Sequence, residues 1–214
     1  IYKGEKVGIA GISGSGKSTF LSLFLGMIKP DKGKIFINGK DFELLKKSFR
    51  SDIGYVQQLI TLLDDSIKEN VIFGRSNHYS NNSNQVALAL KKSKVYDFCS
   101  SLDKGIDTMI GENGVRLSGG QRQRIGLARS LFLDPDLIVL DEATSALDSV
   151  TEKKIMEDIL SLSSKTILFS THKLKILEKF DKILFFDSKG KVLSGKFDEL
   201  MKTSVDFKNL VKNT

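Results

Sequence analysis

What this chain lacks narrows it first. Its 214 residues include a single cysteine, Cys99, so no disulfide can close within the chain, and such sparing use of thiols fits a reducing compartment. No apolar run approaches the length of a membrane span, and no signal peptide opens the sequence. Internal repeats and a heptad seam are both absent, which sets aside solenoids and coiled coils. Lys and Arg outnumber Asp and Glu by 33 to 26, giving a net charge of +7 and a pI of about 9.3, yet no basic tail forms. The lysines come in separated pairs, such as Lys46-Lys47, Lys91-Lys92 and Lys153-Lys154, and read mainly as solvated helix faces.

What remains is an ordinary globular composition, 40% apolar and 28% charged, long enough for one sizeable α/β domain with a subdomain. The first residue is Ile1 rather than Met, and the chain leads almost at once into its first motif, so it reads as part of a longer protein. Lys3-Gly4 is a turn before a buried strand ending at Ala10. A helix from Lys17 is expected to end near Ile28, because Pro30 disfavours helix at Lys29. Lys34–Ile37 is a short strand, and Asn38-Gly39 is a strong hairpin signal. Glu43–Phe49 reads as helix and Ile53–Val56 as strand. From Leu59 to Leu133 the pattern offers no convincing strand. Ser66-Ile67-Lys68-Glu69 is a capping box opening a helix toward Phe73. Asn77–Asn84 is a polar loop carrying a silent His78, Ser83 caps a helix to about Ser93, and Val95–Leu102 is a further helical turn or two. Strand returns at Leu137–Leu140 and Thr166–Ser170, with a helix between them from about Ser149 to Leu160. A hairpin of Ile183–Phe186 and Val192-Leu193 turns at Lys189-Gly190. Helices near Phe197–Lys202 and Asp206–Val211 finish the chain. Strands alternating with helices predict a mostly parallel sheet flanked by helices, with an inserted all-helical subdomain.

The organising stretch is Gly11-Ile12-Ser13-Gly14-Ser15-Gly16-Lys17-Ser18-Thr19, which fits G-x-x-x-x-G-K-[ST]. It lies between an apolar strand and a helix, the context that gives the pattern meaning. The glycines let successive N–H groups converge on a phosphate chain, and the helix N-terminus adds its dipole. Lys17 would reach the terminal phosphates, and the Ser18 hydroxyl would ligate Mg²⁺. A second signal is Leu137-Ile138-Val139-Leu140-Asp141-Glu142, a core strand ending in two carboxylates. Asp141 suits a metal and Glu142 suits a base beside an attacking water.

A third signal is Leu117-Ser118-Gly119-Gly120-Gln121, followed by Arg122-Gln123-Arg124-Ile125. With it, the sequence resembles the nucleotide-binding domains of ATP-binding cassette (ABC) proteins over essentially its whole length. The resemblance implies a phosphate-loop ATPase core at residues 1–58 and 134–214, and a helical signature subdomain at 59–133. It implies ATP sandwiched between two such domains arranged head to tail, as homodimer or heterodimer. One copy would supply Gly11, Ser13, Gly14, Ser15, Gly16, Lys17, Ser18 and Thr19. Its partner would supply Ser118, Gly119, Gly120 and Gln121, whose glycines and hydroxyl at a helix start suit an anion. Gln58 matches the family's glutamine loop, which senses Mg²⁺ and water and faces the transport partner. Gln57 stands where the family often has Pro, and the ungapped fit of Ser66–Val71 selects Gln58. Ser145-Ala146-Leu147-Asp148 matches the loop that carries communication between the two domains. His172 matches a histidine that contacts the γ-phosphate.

The residues Asp107–Gly114 and Ser66–Gly74 look like the exporter branch, with Asn113 standing where many exporters have Arg. Thr171 and Lys173 depart from the commoner Ala and Arg beside the histidine. The resemblance therefore implies the ATP-hydrolysing motor of an ABC exporter, on the cytoplasmic face of a membrane. Its transmembrane domain would lie in the same full-length polypeptide, and no nucleic acid is expected as a partner. The family's adenine-stacking aromatic is expected upstream of Ile1, with Tyr2 as a packing residue. The alternative is a soluble ABC ATPase of DNA repair, chromosome maintenance or translation, which salt-dependent binding to DNA or ribosomes would distinguish.

Overall fold

The computed structural model describes residues 1–51, 53–73 and 83–213, without the side chains of residues 46–48, 50 and 51. Of the polar loop expected at Asn77–Asn84, residues 77–82 with His78 lie outside the described residues, and Ser83 and Asn84 already belong to a helix. The chain divides into two compact units: residues 1–53 with 166–214, and residues 54–165.

The first unit is built on β1 (Lys6–Gly11), all six of whose residues are buried. A strand this apolar needs neighbours on both edges, and it has them. It runs parallel to β6 (Thr166–Ser170), with Ile9 opposite Ser170, and parallel to β7 (Lys182–Phe186), with Gly11 opposite Phe186. The antiparallel β8 (Val192–Gly195) closes the edge, Phe186 facing Val192, through a turn at Gly190 with φ 77°. The sheet is thus mostly parallel and flanked by helices. Helices α8 (Phe197–Thr203) and α9 (Val205–Lys212) bring Phe197 and Phe207 to Phe185, with ring centroids 5.4 and 5.2 Å apart along the chain of contacts. Fully burying a ring such as Phe207 contributes about 2–3 kcal/mol.

Helix α1 (Lys17–Phe24) stops earlier than the expected Ile28. Gly26 adopts φ 64°, its N–H bonds to Leu23 O, and Met27 N–H bonds to Ser22 O. This is a Schellman stop, which a glycine makes without steric penalty, so Gly26 and not Pro30 ends the helix. The hairpin at Asn38-Gly39 forms as expected, both residues at positive φ (50° and 75°). Its strands are shorter than expected: β2 (Phe36–Ile37) pairs with β3 (Lys40–Asp41). α2 covers Phe42–Ser51. Tyr2 is 77% exposed, with the Lys182 ammonium 5.4 Å from its ring centroid, and so is not the packing residue expected.

In the second unit β4 (Ile53–Val56), whose first residue belongs to the other unit, lies beside β5 (Leu137–Asp141). Between them in sequence come α3 (Ile67–Ile72), α4 (Ser83–Lys92), α5 (Tyr96–Ser100) and α6 (Gly119–Leu131), and α7 (Ser149–Leu160) follows. Among the described residues of 59–133, the only strand-like pairing is an isolated bridge from Ser66 to Met109. α6 packs against α3 and α4, its Ile125 and Ala128 meeting Val71, Val86 and Leu90 in one apolar cluster. Cys99 is buried there, and burial pushes its thiol up to about 11.

α3 begins as expected, the Ser66 hydroxyl accepting from Glu69 N–H at 3.1 Å, but Ser66 N–H donates to Asp65 Oδ1 rather than to Glu69. Asn70, fully buried on the same helix, is the polar hub of this unit. Its amide donates to Leu63 O and Ser66 O and accepts from Leu63 N–H and Arg129 Nη2. Arg129 also donates to Asn70 O and Thr61 O. Removing one member strands several buried groups together. Asn70→Ala is expected to lower unfolding free energy by about 3 kcal/mol; urea denaturation checks it, and a loss within experimental error would contradict it.

Candidate functional site

In the first unit the phosphate-loop residues follow directly from β1. Gly14 and Gly16 take φ 76° and 100°, which a side chain would resist, although nothing lies within 4 Å of where their Cβ atoms would be. Conformation, not crowding, demands glycine there. Gly16 is also the N-cap of α1 and supplies no side-chain hydrogen bond, so the first-turn N–H groups have no capping side chain. Ser13, Ser18 and Thr19 are exposed around that end. Lys17 is 6% exposed, its ammonium donating to Gly11 O at 2.8 Å and Ile12 O at 2.9 Å. The buried Ser15 Oγ has no hydrogen-bond partner among the described residues. A buried cation on carbonyls, an uncapped helix start and an orphaned hydroxyl together fit a phosphate group.

His172 is exposed just after β6. Thr171 N–H donates to Ile9 O at 3.4 Å, which ties this strand end to the end of β1 from which the loop springs. Lys173 N–H donates to Thr171 Oγ1 at 3.0 Å, so Thr171 shapes the turn that presents the imidazole.

In the second unit, β5 buries Leu137 to Leu140 and delivers Asp141 and Glu142 half-buried at its end. Glu142 takes φ 50°, an uncommon conformation for a residue with a long side chain. Gln58 Nε2 donates to Glu142 Oε2 at 2.7 Å. Gln57 instead lines a groove of about 370 Å³ with Leu59, Leu63 and Phe73. Asp141 lies close enough to Tyr55 to add to the upward push that burial exerts on the phenol.

Ser118 and Gln121 form a complete capping box at the start of α6: Gln121 N–H donates to Ser118 Oγ at 3.2 Å, and Ser118 N–H to Gln121 Oε1 at 2.8 Å. The hydroxyl accepts in this box, so its own O–H remains able to donate to an anion. Gln121, by contrast, spends its carbonyl on the cap and keeps only its amide N–H groups for a ligand. Gly119 and Gly120 lie against the next loop, where a Cβ on Gly120 would sit 3.3 Å from Ala146 O. The arginines that follow serve the fold: Arg122 donates to Gly114 O and Leu117 O, and Arg124 to Gly120 O and Lys94 O. Asp148 caps α7, accepting from Val150 and Thr151 N–H at 3.1 and 2.9 Å. Gln123, which stands in a polar stretch where nothing local sets it apart, is buried and bonded to the 145–146 loop.

Comparisons with known proteins give the family. The model of the ABC transporter family matches residues 1–145. The chain is 39% identical over 211 residues to the glutathione/L-cysteine transport system ATP-binding/permease protein CydD of Bacillus subtilis (strain 168), covering 98% of this chain and 36% of that protein. It is 42% identical over 207 residues to the ATP-dependent permease MDL1 of Candida albicans, covering 94% and 30%. A solved bacterial Atm1-family ABC exporter with ATP bound superposes with a TM-score of 0.91 at 33% identity, covering 98% of this chain and 37% of that one. The chain thus spans about a third of the length of the relatives it matches.

The Asp148 cap makes a pH signature. Hydrogen bonds from Thr151, side chain first and then backbone, hold its carboxyl below the ordinary 3.8. A depressed carboxyl stabilises the fold above its unfolded pKa and loses that contribution as pH falls through the folded one. Asp148→Ala should therefore have a lower melting temperature than wild type at neutral pH, the gap closing progressively below pH 3.8. Thermal melts across that range check it, and a gap that widens in acid would contradict it.

Proposed function

This chain belongs to the ABC transporter family, and we propose that it is the ATP-hydrolysing motor domain of an exporter. Two copies close head to tail on two Mg·ATP and drive a transmembrane partner between states. The observation that carries the reading is Glu142, held at the end of a buried strand with its carboxylate on Gln58.

In this reading Gly11, Ser13, Gly14, Ser15, Gly16, Lys17, Ser18 and Thr19 hold the phosphates of one ATP. Ser118, Gly119, Gly120 and Gln121 of the opposite copy act on its γ-phosphate, and Asp148 lies at the seam. Ser18, Asp141 and Gln58 would hold Mg²⁺, which supplies charge neutralisation on the phosphate oxygens. Glu142 orients a water and accepts its proton as the water oxygen bonds to the γ-phosphorus. The bond from that phosphorus to the β–γ bridging oxygen breaks, and ADP departs with those electrons. Lys17 and His172 steady the charge spread over the transferring group. Catalysis is positioning and charge stabilisation more than covalent chemistry.

Residues 1–58 and 134–214 serve as the catalytic core and 59–133 as the signature subdomain. Transport is favoured over a nucleic-acid or ribosomal role by the permeases and exporter among the relatives. The groove beside Gln57 supports a membrane partner as well: Leu59 is 82% exposed there, with Phe73 half-exposed. The domain would then work at the cytoplasmic face of a membrane. No helix among the described residues is long and apolar enough to cross one.

Glu142→Gln keeps the shape and the hydrogen bond but not the basicity. It should bind ATP, dimerise on it, and turn over slower by on the order of 10² to 10⁴. Steady-state hydrolysis beside gel filtration with ATP checks it; turnover at the wild-type rate would remove Glu142 from the role of base.

A further inference from the structure

Gln123 is 5% exposed, one turn along α6 from the Ser118–Gly120 tip. A buried primary amide demands partners, and both of its ends find them on one loop. Oε1 accepts from Ala146 N–H at 3.0 Å, and Nε2 donates to Ser145 Oγ at 3.1 Å. The first bond fixes the amide's orientation, since a backbone N–H can only donate. The second then follows, with the Ser145 hydroxyl as acceptor.

The loop so gripped is itself short and tied at both ends. Ser145 N–H donates back to Glu142 O at 3.1 Å, and Leu147 N–H to Thr144 O at 3.1 Å. Thr144 Oγ1 donates to the buried Glu152 of α7 at 2.6 Å, and Asp148 caps that helix. At the helix tip, Gly119 and Gly120 leave room for Ala146 and Leu147 to lie against the backbone, at 3.6 and 3.5 Å from where their Cβ atoms would be. α6 and the 145–147 turn are thus joined by two hydrogen bonds, and the turn begins at Glu142, with its φ of 50°.

We propose that Gln123 is a positioning residue that couples two ATP sites. It links the Ser118–Gly120 tip, which meets the nucleotide of the partner, to Glu142, which acts on the nucleotide of its own chain. This rests on the head-to-tail motor reading above. When the tip takes up a γ-phosphate, α6 shifts, Gln123 carries the 145–146 loop with it, and Glu142 is set for its own site. Occupancy at one site thereby prepares hydrolysis at the other. A packed side chain with two directional bonds suits this, because it transmits displacement in both senses, where an apolar contact only pushes.

The test uses the full-length protein in lipid vesicles. Wild type, Glu142→Gln, Gln123→Met, Gln123→Glu and Ser145→Ala are compared for ATP dependence of hydrolysis, nucleotide affinity and melting temperature. Gln123→Met preserves length and loses both bonds. It should lower kcat roughly tenfold and bring the Hill coefficient to unity, with nucleotide affinity unchanged. Gln123→Glu should keep the cooperativity, since a carboxylate still accepts from Ala146 N–H and can accept from the Ser145 hydroxyl. That rescue separates positioning from bulk stability, which the melting temperatures report. Should the Met variant fail to fold, Ser145→Ala decides: a lowered Hill coefficient supports the coupling, and an unchanged one overturns it. Cooperative hydrolysis by Gln123→Met, or loss in Gln123→Glu as deep as in Met, also overturns it. If wild type is not cooperative, or Glu142→Gln turns over normally, the motor reading falls and the inference with it. If wild type is cooperative and Glu142→Gln is inactive while Gln123→Met matches wild type, only the inference falls.

Discussion

A buried ammonium needs strong partners, and the first unit is arranged around that need at Lys17. Its charge sits among the carbonyl oxygens of Gly11 and Ile12, at the mouth of a loop whose backbone only glycines adopt easily. Carbonyls offer dipoles where a triphosphate would offer full charges, an exchange that would favour the binding proposed above. The loop can hold that poise because β1 is fixed on both edges by parallel partners and buried along its whole length. The uncapped start of α1 and the orphaned Ser15 hydroxyl are stability forgone in the protein alone, as binding sites commonly forgo it.

The second unit answers with a different device. A buried strand ends in a glutamate whose backbone is strained and whose carboxylate is gripped by Gln58. The α6 start is held as a full capping box, yet it leaves one hydroxyl proton free. Both features fix a polar group by side-chain hydrogen bonds within this unit. The Asn70–Arg129 network and the apolar cluster around Ile125 join α6 to α3 and α4.

Much of this was legible in the sequence where the signal is local. The continuous apolar runs of β1, β4 and β6 gave their bounds to within a residue, and Asn38-Gly39 announced its turn. Ser118 and Gln121 revealed a cap because both partners stand within one turn of helix. The misses have equally local causes. Gly26 stopped α1 before Pro30 could, and Asp65 outcompeted Glu69 for the Ser66 N–H, being closer. What periodicity cannot show is contact across the chain. Gln58 meets Glu142 84 positions away, Arg129 meets Asn70 59 away, and Gln123 reaches residues 22 and 23 further on. For the site, family motifs supplied the residues by resemblance; the bonds that hold them came only from the folded chain.

The account stands on phosphate recognition by Lys17 and its loop, and calorimetric titration of ATP into wild type and Lys17→Ala tests that most directly. Wild type should bind, and the variant should bind roughly 10- to 100-fold more weakly, the worth of a charge-assisted contact to a phosphate. Equal affinities in two equally folded proteins would contradict it.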